Sequence, residues 1–434
     1  LLFQYGEGTS AITRFIPRDD FWQDPQAPVL SWATAAAPQE RAAFWRGSAS
    51  LPFFNGPGER LPAFFQNLLP EGALRRHLAQ LRGCAMDDHF ELLATCGTDL
   101  PGAVYARPAM LDRDQVAGIV TQHHDALEMS VVADPMREGT SLSGVQPKLS
   151  LVQAGSRYVA RTKDTRGLHI IAKLPSAEFP LLPEVEALSL QLAQAAGVAV
   201  ARARLVPMED IDVDIPFVLG PSRHFLAVER FDRRDGHAHV HAEDFAQILG
   251  IPPEMKYRHP LARYGFMARV MRDSMGLGPA ALEEFIRRLV VNELLGNYDA
   301  HVKNFGIVYA DGRTPVLSPA YDIVAYAAYL PGRGHALRFA RDGDGATRLT
   351  PAVLRAFCNE AHFPETKAAA LAREVVGAAC AQWPALIAAS GLLPQQKDRL
   401  NRHFEAVPLV ASLRRRAAGR LAPRRPAPAV GPSD

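Results

Sequence analysis

The sequence predicts an α+β protein. Strand-period runs crowd residues 141–235, a single helical pattern interrupts them, and from 242 onward helical spacing dominates around one hairpin. In the first hundred residues, short strand-like runs mix with Pro/Gly turns such as Asn55-Gly56-Pro57-Gly58 and a helical stretch around Phe64 to Arg82. They predict a small N-terminal α+β domain over 1–110. Inside it, Phe64 to Gly72 is a dense apolar cluster stopped by Pro70 and Gly72, and reads as a packing edge. Strands are expected over Leu149 to Val152, Tyr158 to Arg161 and Leu168 to Leu174, with a turn at Ala154-Gly155. Pro183 opens a helix in which Val185, Leu188 and Leu192 recur at helical spacing up to a stop at Gly197. Val198 to Val206 and Phe225 to Phe231 are two further strand-like runs that complete a region over 111–235. A mostly helical lobe is expected over 236–410, and 411–434 reads as a disordered basic tail.

With 434 residues, 48% apolar and 22% charged, the chain can bury a large core, which excludes a disordered polypeptide. No apolar run approaches the roughly 18 residues of a membrane span, and no signal peptide opens the chain, so no membrane is expected among its partners. It begins Leu1-Leu2-Phe3 without methionine, and a few leading residues are expected to be missing. Cys84, Cys96, Cys358 and Cys380 have no paired metal-ligand spacing and read as thiols of a reducing cytoplasm. Net charge is +2, but six arginines (Arg414, Arg415, Arg416, Arg420, Arg424, Arg425) face only Asp434 in the tail, leaving the body at −3. Such a tail is either a solvated end or a screen against DNA phosphates. Only seven basic residues are lysines, and three of them, Lys148, Lys173 and Lys303, fall in the motifs below.

The most informative stretch is Leu282 to Asp322. An amphipathic helix from Leu282 to Leu295 ends at Gly296, and polar groups crowd the loop Asn297-Tyr298-Asp299-Ala300-His301-Val302-Lys303-Asn304. A strand at Phe305 to Tyr309, an Asp311-Gly312 turn and a strand at Val316-Leu317 lead to Tyr321-Asp322. Phosphoryl transfer needs a carboxylate to take the nucleophile's proton, an amide and a second carboxylate for magnesium, and cations on the phosphates. Asp299 and Asn304 have the Asp-x-x-x-x-Asn spacing of a kinase catalytic loop, and Asp322 follows across a hairpin where a kinase places its metal-binding aspartate. Asn297-Tyr298 replaces the usual His-Arg and Tyr321-Asp322-Ile323 replaces Asp-Phe-Gly, so an ordinary eukaryotic-type kinase is not indicated. Taken singly, these Asn and Asp residues also suit plain turns.

Upstream, Ser141-Leu142-Ser143-Gly144-Val145-Gln146-Pro147-Lys148 is a small-residue loop whose amides can approach phosphate oxygens, or else a linker. Lys173 ends an apolar strand, where its charge calls for an anion or a snorkelling edge position. Glu186 on the next helix is its natural partner. Val228-Glu229-Arg230-Phe231-Asp232-Arg233 runs from strand into a polar link, which fits either an adenine edge between two lobes or a surface turn.

These segments together, with Ile171-Ala172-Lys173-Leu174-Pro175, Met255-Lys256-Tyr257, Asn67-Leu68-Leu69-Pro70-Glu71 and Gly102-Ala103-Val104, resemble the HipA family of bacterial serine/threonine kinase toxins over about residues 45–400. The resemblance implies a two-lobed, protein-kinase-like α+β fold using ATP and Mg2+. It implies Asp299 as catalytic base, Asn304 and Asp322 as magnesium ligands, and His301 and Lys303 in support of the transition-state charge. Ser143, Gly144, Val145, Lys148 and Lys173 would meet the nucleotide phosphates, with Glu229 and Phe231 at the adenine edge. Ser141 or Ser143 would be autophosphorylated, with Ser141 matching that position better; Pro147 stands where an acidic residue is common. It further implies a helix-turn-helix antitoxin of the HipB type that carries most of the DNA contact, and a protein substrate from translation such as an aminoacyl-tRNA synthetase.

Three other readings stay open on residues alone. Asp299, His301 and Asn304 are also ligand types of a metal-dependent phosphohydrolase, which predicts further His/Asp clusters; His237, His239 and His241 alternate on a strand period instead. A small-molecule kinase shares the Asp-to-Asn spacing. A repressor partner with a dead kinase fold requires loss of the aspartate or the lysine, and both are present.

Overall fold

Two short strands at the N-terminus, β1 (Leu2–Tyr5) and β2 (Ile12–Phe15), pair antiparallel in the computed structural model. It describes residues 2–5, 12–15, 18–34, 61–110, 146–161, 166–234, 238–332, 334–341 and 347–413. After α1 (Asp19–Gln23), the helical stretch expected at 64–82 is split into α2 (Ala63–Gln66) and α3 (Gly72–Arg82). Pro70 has no amide to continue the ladder, and Gly72 adopts φ +57. The link is held by Asn67, whose Nδ2 donates to Ala63 O at 2.9 Å and to Ile251 O at 2.8 Å. With α4 (His89–Thr95), capped by Asp88, these helices close a small core of Leu61, Phe64, Leu68, Leu74, Leu78 and Leu92.

A six-stranded sheet follows: β3 (Lys148–Ala154), β4 (Arg157–Ala160), β5 (Leu168–Lys173), β6 (Ala203–Pro207), β7 (Ile211–Asp212) and β8 (His224–Glu229). Its order is β6-β8-β5-β3-β4-β7, antiparallel except for β4 with β7. The register sets Lys148 opposite Lys173, so the two buried lysines share one face. Between β5 and β6 the chain forms α5 (Leu182–Ala195), with Pro183 in its first turn. The strand expected from Val198 forms only at Ala203, because Val200 bridges Ala320 below the sheet.

The rest is mainly helical. A three-stranded sheet, β11 (Pro315–Leu317), β10 (Gly306–Tyr309) and β9 (His241–Asp244), is surrounded by α6 (Phe245–Ile248), α7 (Tyr264–Arg269), α8 (Pro279–Leu295), α9 (Pro351–Ala361), α10 (Glu365–Ala389) and α11 (Pro394–Ala406). Their apolar faces merge with that of α5 into one core. Trp383 of α10 is fully buried and donates through Nε1 to Leu192 O at 2.9 Å, which ties the helical body to α5. Among the described residues no helix is long and apolar enough to cross a membrane.

Candidate active site

The loop after α8 is built by its own polar side chains. Gly296 caps the helix at φ +63, where a Cβ would stand 2.6 Å from Ala327 Cβ. Asn297, buried, donates to Asn292 Oδ1 at 3.1 Å and accepts the Asp299 amide at 3.3 Å. The Tyr264 hydroxyl donates to Ala300 O at 2.7 Å, the His301 amide to Asn304 Oδ1 at 3.0 Å, and the Tyr321 hydroxyl to Lys303 O at 3.0 Å. The loop is thus fixed from three sides. Asp299 is left half-buried, and burial raises its pKa. Its Oδ1 accepts the Tyr257 hydroxyl at 2.5 Å.

Asn304 Nδ2 donates to Asp322 Oδ2 at 3.4 Å. Asp322 has φ +53, a left-handed conformation that a non-glycine residue adopts at a cost of about 1 kcal/mol or more. Lys173 Nζ binds the other Asp322 oxygen and also Glu186 Oε1 of α5, the latter at 2.5 Å. Burial opposes the lysine's charge, yet the two carboxylates outweigh it and raise its pKa. For Asp322, burial is outweighed by Lys173 and Lys148, which hold it at about 2. Among the described residues Glu186 Oε2 is buried without a hydrogen-bond partner, and burial raises that carboxyl's pKa. Burial lowers the pKa of Lys148.

Lys148, Lys173, Glu186 and Asp322 line a cavity of about 150 Å³ under the sheet, together with Glu229, Phe231, Asp244, Lys303 and Tyr321, while Asn304 touches it only through Asp322. Phe231 packs on Tyr321 with ring centroids 5.7 Å apart, and Glu229 ends β8 at the rim. Ser141, Ser143, Gly144 and Val145 lie outside the described residues, as do His237 and the arginines of the tail. A larger depression of about 820 Å³ lies on the other side of α5, along β6, and holds none of the predicted site residues.

Two expectations are refined. The link after β8 is neither open nor a surface turn: Arg230 and Arg233 are buried against Asp99 (3.0 and 2.7 Å) and Asp232 (2.9 and 2.8 Å). Gly102 closes this ion cluster by donating to Asp232 Oδ2 at 2.9 Å. His301 is held as a neutral imidazole, its pKa lowered to about 3 by burial and then by Lys256 and Lys303. Lys303 aims its ammonium at Glu71 Oε1, 2.6 Å away, and Lys256 reaches the other Glu71 oxygen at 3.2 Å.

Sequence reasoning assigns no role to Glu71, Tyr257 or Asp244. Asp244 caps α6 through the Gln247 amide at 2.9 Å while lining the cavity, and burial raises its pKa to about 6. Among the described residues no three or more His, Cys, Asp and Glu gather as metal ligands. His239 and His241 are taken by the carbonyls of Gly102 (3.0 Å) and Leu30 (2.9 Å) and face no common ion. Asp322 lines the cavity and Asn304 lies against Asp322, and together they offer hard oxygen donors; a lysine ammonium already rests on Asp322. That donor set suits a hard divalent cation that keeps most of its shell as water and phosphate oxygen.

Comparison with known proteins bears on this geometry. Residues 140–383 match the family model of the HipA-like C-terminal domain, and residues 4–107 that of the HipA N-terminal domain. Y4dM of Sinorhizobium fredii, which carries a provisional kinase name, is 35% identical over 420 residues, covering 93% of this chain and 96% of Y4dM. The serine/threonine-protein kinase toxin HipA of Shewanella oneidensis is 26% identical over 304 residues, 63% of this chain and 65% of that protein. A solved Shewanella oneidensis complex of HipA, HipB and operator DNA shares the fold with a TM-score of 0.62 at 19% identity, covering 95% of this chain and 94% of that one. With both halves matched in order and a relative aligned almost end to end, the chain belongs to the HipA family of kinases.

Proposed function

We propose that this chain is an ATP- and magnesium-dependent serine/threonine protein kinase acting as the toxin of a toxin–antitoxin pair. The observation that carries the reading is the Lys173–Glu186 pair meeting Asp322 at one cavity, with Asn304 donating to Asp322 and Asp299 on the adjoining loop. Lys173 would exchange Asp322 for the α- and β-phosphates while Glu186 keeps it in place, with Lys148 on the same face. The amides of Glu229 and Arg230 already donate to Arg202 O (2.8 Å) and His169 O (3.0 Å), so adenine contact falls to Phe231 and the Glu229 rim. Asp322 and Asn304 would hold magnesium, which when bound neutralises charge on the transferring phosphoryl group. Asp299 takes the proton of the acceptor hydroxyl, and burial favours its readiness to accept it. His301 contributes as a dipole rather than a charge. The Ser141/Ser143 loop is the proposed autophosphorylation segment, with Ser141 the better match. The partner is a HipB-type antitoxin that supplies most of the DNA contact, as the Shewanella complex includes HipA, HipB and operator DNA. The substrate is a protein of translation.

The test is phosphorylation of a bacterial lysate with radiolabelled ATP, with and without magnesium. Asp299→Asn should reduce transfer on the order of a hundredfold or more. Undiminished labelling by Asp299→Asn would remove that residue from the chemistry.

A further inference from the structure

One oxygen of Asp299 is already engaged. Tyr257 donates its hydroxyl to Asp299 Oδ1 at 2.5 Å, with the polarity of an acceptor hydroxyl on a general base. Its ring edge packs on His301 with centroids 5.0 Å apart, and Lys256 Nζ stands 5.4 Å from the ring centre on its own side. Lys256 in turn is anchored 3.2 Å from Glu71, the carboxylate that also holds Lys303. Tyr257 itself is 42% exposed, so an incoming group can displace it without opening the core.

We propose that Tyr257 is a stand-in for the acceptor hydroxyl, keeping water from Asp299 until a protein substrate displaces the phenol, and that Glu71 positions it through Lys256. The proposal rests on Asp299 being the base. Water, one small hydroxyl, gains nothing by pushing aside a packed ring, whereas a polypeptide replaces the lost ring contacts with its own. Basal ATP hydrolysis is thereby suppressed while transfer to protein is kept. In the suppressed reaction water attacks the γ-phosphorus, the bond to the β,γ-bridging oxygen breaks, ADP leaves, and the proton goes to Asp299.

The experiment measures ADP release by the full chain with ATP and magnesium and no protein substrate, alongside the melting shift caused by ATP. Tyr257→Phe, which keeps the ring and removes the hydroxyl, should raise ADP release about tenfold or more with an unchanged melting shift. Glu71→Gln should raise it in the same direction, and combining the two should add nothing further; Tyr257→Phe decides the matter if Glu71→Gln folds poorly. Release at or below the wild-type rate in Tyr257→Phe, with the melting shift intact, overturns the stand-in role. Adding Asp299→Asn to Tyr257→Phe should return release to the wild-type level; a gain that survives it overturns Asp299 as the base instead.

Discussion

At Glu71 a single carboxylate holds two lysines from different segments, Lys303 of the loop after α8 and Lys256. Burial alone would raise its pKa from 4.5, but the two ammonium groups outweigh that and hold it at about 2. A carboxyl whose pKa is lower folded than unfolded stabilises the protein fully above the unfolded value and loses that contribution as pH falls toward the folded one. Glu71→Gln should therefore melt well below wild type at pH 7, by up to about 3 kcal/mol, and the gap should close between about pH 4.5 and pH 2. Melting curves across that range check it; a gap that stays constant would place the contribution elsewhere. Residue types at short spacing made Asp299, Asn304 and Lys173 legible, since each belongs to a local motif. Glu71 was not, because its partner lies 232 residues away and nothing in either segment announces the other.

Elements show the same division. The helix from Pro279 to Leu295, the Gly296 stop and the hairpin after it follow from periodicity and turn chemistry, and the sequence places them within a few residues. Arg230, Asp232 and Arg233 follow β8 and look solvated in sequence because charged residues are rarely buried. They are buried because Asp99 arrives from the segment after α4, and Gly102 at φ +69 lets that backbone pass β9; a Cβ there would stand 2.6 Å from Ala242 O. Asp99 faces three guanidinium groups at once, those of Arg230 and Arg233 and, at 3.6 Å, that of Arg161. Asp99→Ala should leave Arg230 and Arg233 buried and short of a counter-charge, costing roughly 3–5 kcal/mol. Urea unfolding should show it as a lower midpoint, whereas an unchanged midpoint would mean water repairs the cluster.

For the molecule as a whole, the sheet that carries Lys148 and Lys173 and the helical body that carries Asp299, Asn304 and Asp322 meet at the proposed nucleotide cavity. A ligand contacting both stabilises the native state by mass action, about 2.7 kcal/mol at a hundred times its Kd. Magnesium and ATP should accordingly raise the melting temperature, and Lys173→Ala should abolish most of that rise; an equal rise would confine Lys173 to its pairing with Glu186. The α+β class and the order of segments were legible because hydrophobic periodicity changes along the chain. The closeness of the N-terminal helices to the loop after α8 was not, since it depends on side chains such as Glu71 reaching Lys303. The left-handed backbone at Asp322 sets this molecule's economy of folding against its chemistry. Glycine at 322 would relax the turn but also take away one of the two carboxylates that hold Lys173, so ease of backbone and balance of buried charge pull against each other at this one position.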